Sequence, residues 1–107
     1  PVTKKHYVHG GVDIKAPSGT DVYATAKGVV QTTTEKEGWG KLIIIKHDDE
    51  YETWYAHLKD FSVKEGDKVS SGQVIGHVGN TGYSTGSHLH YEIRKDGERQ
   101  NPEEYFK

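Results

Sequence analysis

Short runs of β-branched and aromatic residues alternate with Gly, Pro, Asp and Ser clusters along the whole chain. Runs of this length, bounded by turn-forming residues, predict strands rather than helices. The expected strands cover residues 12–14, 21–25, 28–34, 41–47, 51–58, 69, 73–78 and 88–95. Leu42-Ile43-Ile44-Ile45 reads as a buried run within the strand at 41–47. The polar Asp48-Asp49-Glu50 turn that follows predicts a hairpin between 41–47 and 51–58. Ala16-Pro17-Ser18-Gly19, Ser70-Ser71-Gly72 and Asp96-Gly97 read as turns. Only residues 102–106 carry a helical signature, with Asn101 as N-cap and Pro102 at the first helical position. Many short strands with almost no helix predict a mainly β fold, an antiparallel sandwich or barrel-like sheet.

Length and composition narrow the picture. At 107 residues the chain suits one domain with a modest core, and no linker or repeat divides it. The expectation is a single monomeric domain over residues 1–107, cut from a longer protein because it opens on Pro1 without a Met. A net charge of -2 gives no electrostatic reason to expect nucleic acid or an anionic membrane as partner. No apolar run approaches the ~20 residues of a membrane span, and no signal peptide is visible. The absence of cysteine removes disulfides, Cys nucleophiles and thiolate metal sites.

Seven histidines make imidazole the place to look for chemistry. Three segments stand out. In His9-Gly10-Gly11-Val12-Asp13 an imidazole and a carboxylate lie four residues apart, which places both on one side of an extended segment. The competing reading is a glycine turn with a His and an Asp nearby by chance. In His88-Leu89-His90-Tyr91-Glu92-Ile93-Arg94 strict alternation puts His88, His90, Glu92 and Arg94 on one face. Leu89, Tyr91 and Ile93 take the other, core-facing side. The competing reading is a solvated polar face. In Thr53-Trp54-Tyr55-Ala56-His57-Leu58 alternation groups Thr53, Tyr55 and His57 against Trp54, Ala56 and Leu58. A lone His in a strand is more often structural than functional.

Together the three segments suggest a metal site. Zinc accepts imidazole nitrogen and carboxylate oxygen, and a catalytic zinc keeps three protein ligands and an open fourth position. Two histidines and one aspartate fill such a shell, and the net positive charge lowers the pKa of bound water. Four histidines, His9, His57, His88 and His90, are more than the shell needs, so two are left for general acid–base work. Spacing alone leaves open whether His88 or His90 binds the metal. Rival schemes fare worse, since the chain has no His-Glu-x-x-His helix, no Gly-x-Ser-x-Gly elbow and no P-loop ending at Gly79-Asn80-Thr81-Gly82.

In order and spacing these residues resemble the lysostaphin-type, or LytM-like, zinc endopeptidases of family M23. The resemblance runs from about His9 to Phe106. Its markers are His9-Gly10-Gly11-Val12-Asp13-Ile14, Ala16-Pro17-Ser18-Gly19-Thr20, Tyr55-Ala56-His57-Leu58 and Gly66-Asp67-Lys68-Val69. They continue through Gly72-Gln73-Val74-Ile75-Gly76, Gly79-Asn80-Thr81-Gly82 and Ser87-His88-Leu89-His90-Tyr91-Glu92-Ile93. The resemblance implies an antiparallel β architecture with an open groove. It implies His9, Asp13 and His90 as zinc ligands, with His57 and His88 as catalytic residues beside the metal water. In some members a Tyr upstream of the first His helps stabilise the oxyanion, a role for which Tyr7 is the candidate.

The implied activity is hydrolysis of peptide bonds in bacterial peptidoglycan, outside the cytoplasm. The segment Glu37-Gly38-Trp39-Gly40-Lys41 and the Gly86-Ser87 before His88 look more like members that cut D-amino-acid cross-links than those that cut glycine bridges. Two rivals remain: a non-catalytic activator or binding module of a wall-hydrolase system, and a β-barrel phosphocarrier, which would need a phosphorylatable His and no tight metal. Glu92 reads either as a partner of a ligand imidazole or as an exposed strand carboxylate. His6 stands near the cut end, His47 closes a strand, and His77 is read as lying near the groove or on the surface.

Overall fold

The computed structural model describes residues 4–8, 11–48, 50–80, 86–95 and 98–100, with the backbone alone at 4–8, 11 and 98–100. Among these residues every regular element is a strand: β1 (Lys4–Val8), β2 (Gly11–Lys15), β3 (Asp21–Tyr23), β4 (Gly28–Lys36) and β5 (Gly40–Lys46). These are followed by β6 (Tyr51–Phe61), β7 (Lys68–Val69), β8 (Val74–Val78), β9 (His88–Lys95) and β10 (Glu98–Gln100). The expected antiparallel β architecture is the one that forms. The pattern of hydrophobic runs missed β1 and β10, which are polar and short. The expected helix at 102–106 lies outside the described residues. No helix among the described residues is long and apolar enough to cross a membrane.

The strands join in one sheet, in the order β1-β2-β9-β6-β5-β4-β7, with β10 on β9 and the β3–β8 pair attached through β6. Every pairing described is antiparallel. The hairpin between β5 and β6 turns where expected. Asp48 accepts the backbone N–H groups of Glu50 and Tyr51 at 2.8 and 2.9 Å, an Asx turn that lowers the Asp48 pKa through those bonds.

β5 explains its unbroken hydrophobic run by burying both faces. Ile43 and Ile45 join the main core with Val12, Val30, Tyr55, Ile75 and Tyr91. Leu42 and Ile44 join a smaller cluster with Ala56, roofed by Trp39 and Trp54. Tyr55 and Ala56, neighbours on β6, divide between the clusters in the same way. On the main-core side, polar groups find partners before burial becomes costly. The Tyr55 hydroxyl meets Thr53 Oγ1 at 2.8 Å, and Thr53 Oγ1 meets His47 Nε2 at 2.7 Å. Burial raises the Tyr55 phenol pKa above its ordinary value.

Replacing Ile43, fully buried in the main core, by Ala should cost about 2–5 kcal/mol, since cavity formation adds to lost transfer energy. Urea unfolding checks this: the midpoint should fall at unchanged slope, and a midpoint within error of wild type would contradict the packing described.

Candidate functional site

The site begins with the pairing of β2 and β9. Their register sets Asp13 opposite His90 and Lys15 opposite His88. Asp13, His88 and His90 therefore project from the same sheet face. Asp13 Oδ1 stands 2.6 Å from His90 Nδ1 and 3.9 Å from His88 Nε2. Leu89, Tyr91 and Ile93 turn to the main-core side, as alternation predicts.

His57 arrives by a different route. Simple alternation groups His57 with Tyr55 and Leu58 with Ala56, but Leu58 packs in the main core with Tyr55. The reason is a β-bulge. Ile43 pairs with Tyr55 and Lys41 with Leu58, so β6 spends one residue more than β5 over this interval. His57 absorbs the extra residue with a left-handed backbone, φ 63°, at a cost of about 1–3 kcal/mol for a residue other than glycine. At the same point β6 changes partner. Its Tyr51-to-Ala56 portion pairs with β9, and from Leu58 onward it pairs with β8. The His57 ring thus stands 4.9 Å from that of His88 and 6.3 Å from that of His90, centroid to centroid.

Gly79 ties the two arms together. Its N–H donates to His57 O at 3.1 Å, and its carbonyl accepts the His88 N–H at 3.2 Å. The His57 N–H donates in turn to Trp39 O at 2.9 Å. A Cβ on Gly79 would stand 2.6 Å from Lys59 N and 2.8 Å from Leu58 C, so only glycine permits this approach.

His90 is held from both sides. Nδ1 faces Asp13, and Nε2 stands 2.8 Å from Glu92 Oε2. Carboxylates only accept, so each ring nitrogen must carry a proton or meet a cation. Burial pushes the His90 pKa down, but the bonds to Glu92 and then Asp13 outweigh it and the net shift is upward. Glu92 is 1% exposed, and Arg94 donates to its Oε1 through Nε at 3.0 Å and Nη2 at 2.8 Å. Burial pushes the Glu92 pKa up, and the bonds from His90 and Arg94 overcome this and lower it.

The structure therefore brings Asp13, His57, His88 and His90 to one place, while His9 lies outside the described residues, as does the Tyr7 side chain. The exposed reading of Glu92 is corrected, because the indole of Trp54 roofs its strand face and Arg94 covers it. The solvated-face reading of 88–94 falls for the same reason. His77 instead bridges Asp60 at 2.7 Å and Asp21 at 3.3 Å, on β8. His47 serves the polar network behind the main core. Sequence reasoning did not single out Trp39, Trp54, Arg94 or the Gly79 bridge. For Arg94 the signal was present in its alternation with Glu92.

An antiparallel sheet that gathers one aspartate and three histidines at such a strand junction is the frame of the lysostaphin-type peptidases. The chain belongs to peptidase family M23, whose family model matches residues 7–102. It is 48% identical over 102 residues to the DD-carboxypeptidase/endopeptidase Mpg of Neisseria meningitidis, covering 95% of this chain and 24% of that protein. It thus spans about a quarter of that relative's length. The catalytic domain of lysostaphin from Staphylococcus simulans superposes with a TM-score of 0.90 at 33% identity, over 96% of this chain and 91% of that one. A zinc containing peptidase from Vibrio cholerae superposes with a TM-score of 0.84 at 36% identity, over 87% and 29% of the two chains.

The His90–Glu92 contact has a pH signature. A raised His90 pKa contributes stability that is complete below the ordinary value of 6.5 and is lost as pH rises through the folded value. A lowered Glu92 pKa contributes stability that is present above the ordinary 4.5 and is lost as pH falls through the folded value. Their joint contribution should peak between these two ordinary values. Urea midpoints against pH for wild type and His90→Gln check it; parallel profiles would contradict the contact.

Gly79→Ala should cost about 1–3 kcal/mol through overpacking. It should also move the ring resonances of both His57 and His88 in NMR spectra. Rings that stay in place would show that Gly79 does not couple them.

Proposed function

We propose that this chain is a zinc-dependent endopeptidase acting on peptide cross-links or stem peptides of bacterial peptidoglycan, outside the cytoplasm. The observation that carries the reading is the 2.6 Å approach of Asp13 Oδ1 and His90 Nδ1. With Nε2–H committed to Glu92, Nδ1 presents a lone pair to a carboxylate, and two such donors converge only on a proton or a cation. The donor set suits zinc, with Asp13 and His90 as ligands and His9 as the third. Bound zinc supplies Lewis acidity to the scissile carbonyl and to water.

The remaining residues divide the proton work. His88 Nδ1 donates to Gly86 O at 2.9 Å, which fixes the tautomer and leaves Nε2 an acceptor on the side facing Asp13. His88 is thereby oriented to take a proton from the attacking water. His57, held close by at the bulge, donates to the developing oxyanion or to the leaving amine. For the scissile bond, the high identity to a DD-carboxypeptidase/endopeptidase supports a D-amino-acid cross-link over a glycine bridge.

Two measurements test this. Mass spectrometry of defined walls, glycine-bridged and directly cross-linked, should show chelator-sensitive peptide products from the directly cross-linked wall. No such products from any wall would favour the non-catalytic activator reading. His57→Ala and His88→Ala should each lower turnover by ~10²–10⁴-fold while zinc stoichiometry is retained. Loss of zinc from both variants would sink this division of roles.

A further inference from the structure

We infer that Arg94 and Trp54 act through Glu92 as positioning residues that set the orientation of His90 toward the metal, an inference that rests on the zinc reading above. Glu92 is the pivot. A carboxylate buried to 1% exposure is tolerated only when its charge is matched and its lone pairs are used. Arg94 places both its Nε and Nη2 donors on Oε1, at 3.0 and 2.8 Å. Oε2 is thus aimed at His90 Nε2, 2.8 Å away. Two donors on one oxygen hold the carboxylate against rotation, which a single ammonium would not do. The imidazole then presents Nδ1, rather than Nε2, on the side of Asp13.

Arg94 is itself fixed from below. Its guanidinium carbon lies 3.6 Å from the centroid of the Trp54 ring, and the Trp39 ring is tilted against Trp54 at 5.4 Å. The Trp54 indole N–H donates to Glu52 Oε1 at 3.1 Å, which sets the plane of the ring. The strand register makes this possible. Glu52 pairs with Arg94, Trp54 with Glu92 and Ala56 with His90, so the small Ala56 leaves room beside the imidazole while Trp54 fills the space beside Glu92. The relay Trp54–Arg94–Glu92–His90–Asp13 crosses β6, β9 and β2 on one sheet face. Arg94 is 17% exposed and its charge is matched by Glu92, so its geometry is that of a brace rather than of a binding site for an anionic substrate group.

The test uses the zinc-loaded chain and the variants Glu92→Gln, Arg94→Lys, Trp54→Leu and Trp54→Phe. Zinc affinity is measured by competition with a chromophoric chelator, and the visible bands of the cobalt-substituted forms are recorded. Glu92→Gln should weaken zinc binding by about 10–100-fold and shift the cobalt bands. Arg94→Lys should weaken it by about 10-fold although the charge is kept. Trp54→Leu should follow Arg94→Lys, and Trp54→Phe, which keeps a ring face for the guanidinium, should recover most of the loss. A purely structural role would lower the urea midpoint but leave affinity and bands of the folded protein unchanged. Wild-type protein that binds zinc tightly alongside folded variants that match it would overturn the positioning role and leave the peptidase reading standing. Wild-type protein that fails to bind zinc would overturn the peptidase reading, and the positioning role with it.

Discussion

The left-handed turn of the backbone at His57 is the constraint on which the rest of the site depends. One residue too many on β6 falls where the strand leaves β9 and takes up β8. The same residue reverses the alternation, so Leu58 returns to the main core and His57 moves to the face of His88 and His90. The strain of a non-glycine residue at positive φ persists because its surroundings hold it on both sides, through Trp39 O and the Gly79 N–H. Gly79 also bonds His88, so the backbones that carry the two rings are held together.

A second constraint is electrostatic. The sheet face beside the site is mostly withdrawn from water, yet it carries His90, Glu92 and Arg94 in a row on β9. Burial of those groups is sustained because each satisfies its neighbour: guanidinium to carboxylate, carboxylate to imidazole, imidazole to Asp13. The chain of contacts ends at Asp13, whose Oδ1 also stands 3.9 Å from His88 Nε2. The order of charges along β9 is what carries this row, beside the cluster of Leu42, Ile44 and Ala56 against which Trp39 and Trp54 pack.

The two faces of the sheet divide the labour. Tyr55 and Tyr91 lie on the main-core side, where their rings pack at 5.4 Å and their hydroxyls close a network with Thr25 and Thr53. That network fastens β6 to β9 from behind, while Ala56 and His90 pair where the sheet carries the Asp13 and His88 side chains on its other face. Membership of family M23 and superposition on lysostaphin show that the fold is a shared one. In this chain the Arg94 guanidinium carbon lies 3.6 Å from the centroid of the Trp54 ring.

Much of the frame was legible in the residues themselves. Strand positions followed from β-branched runs and turn residues, and His88–Lys95 was placed to the residue because alternation over eight positions admits a single phase. The grouping of Asp13 with His90 was legible as a resemblance, and its geometry follows from period two once β2 and β9 pair. β1 and β10 were not legible, since polar strands owe their existence to a neighbour's unpaired edge rather than to their own composition. The resemblance put His57 beside His88, but alternation did not, because local pattern assigns it to the face of Tyr55 and only the register across three partner strands inserts the bulge. The burial of Glu92 was likewise decided by tertiary structure: alternation names the face of a strand, but whether that face meets water or an indole depends on what the rest of the chain lays over it.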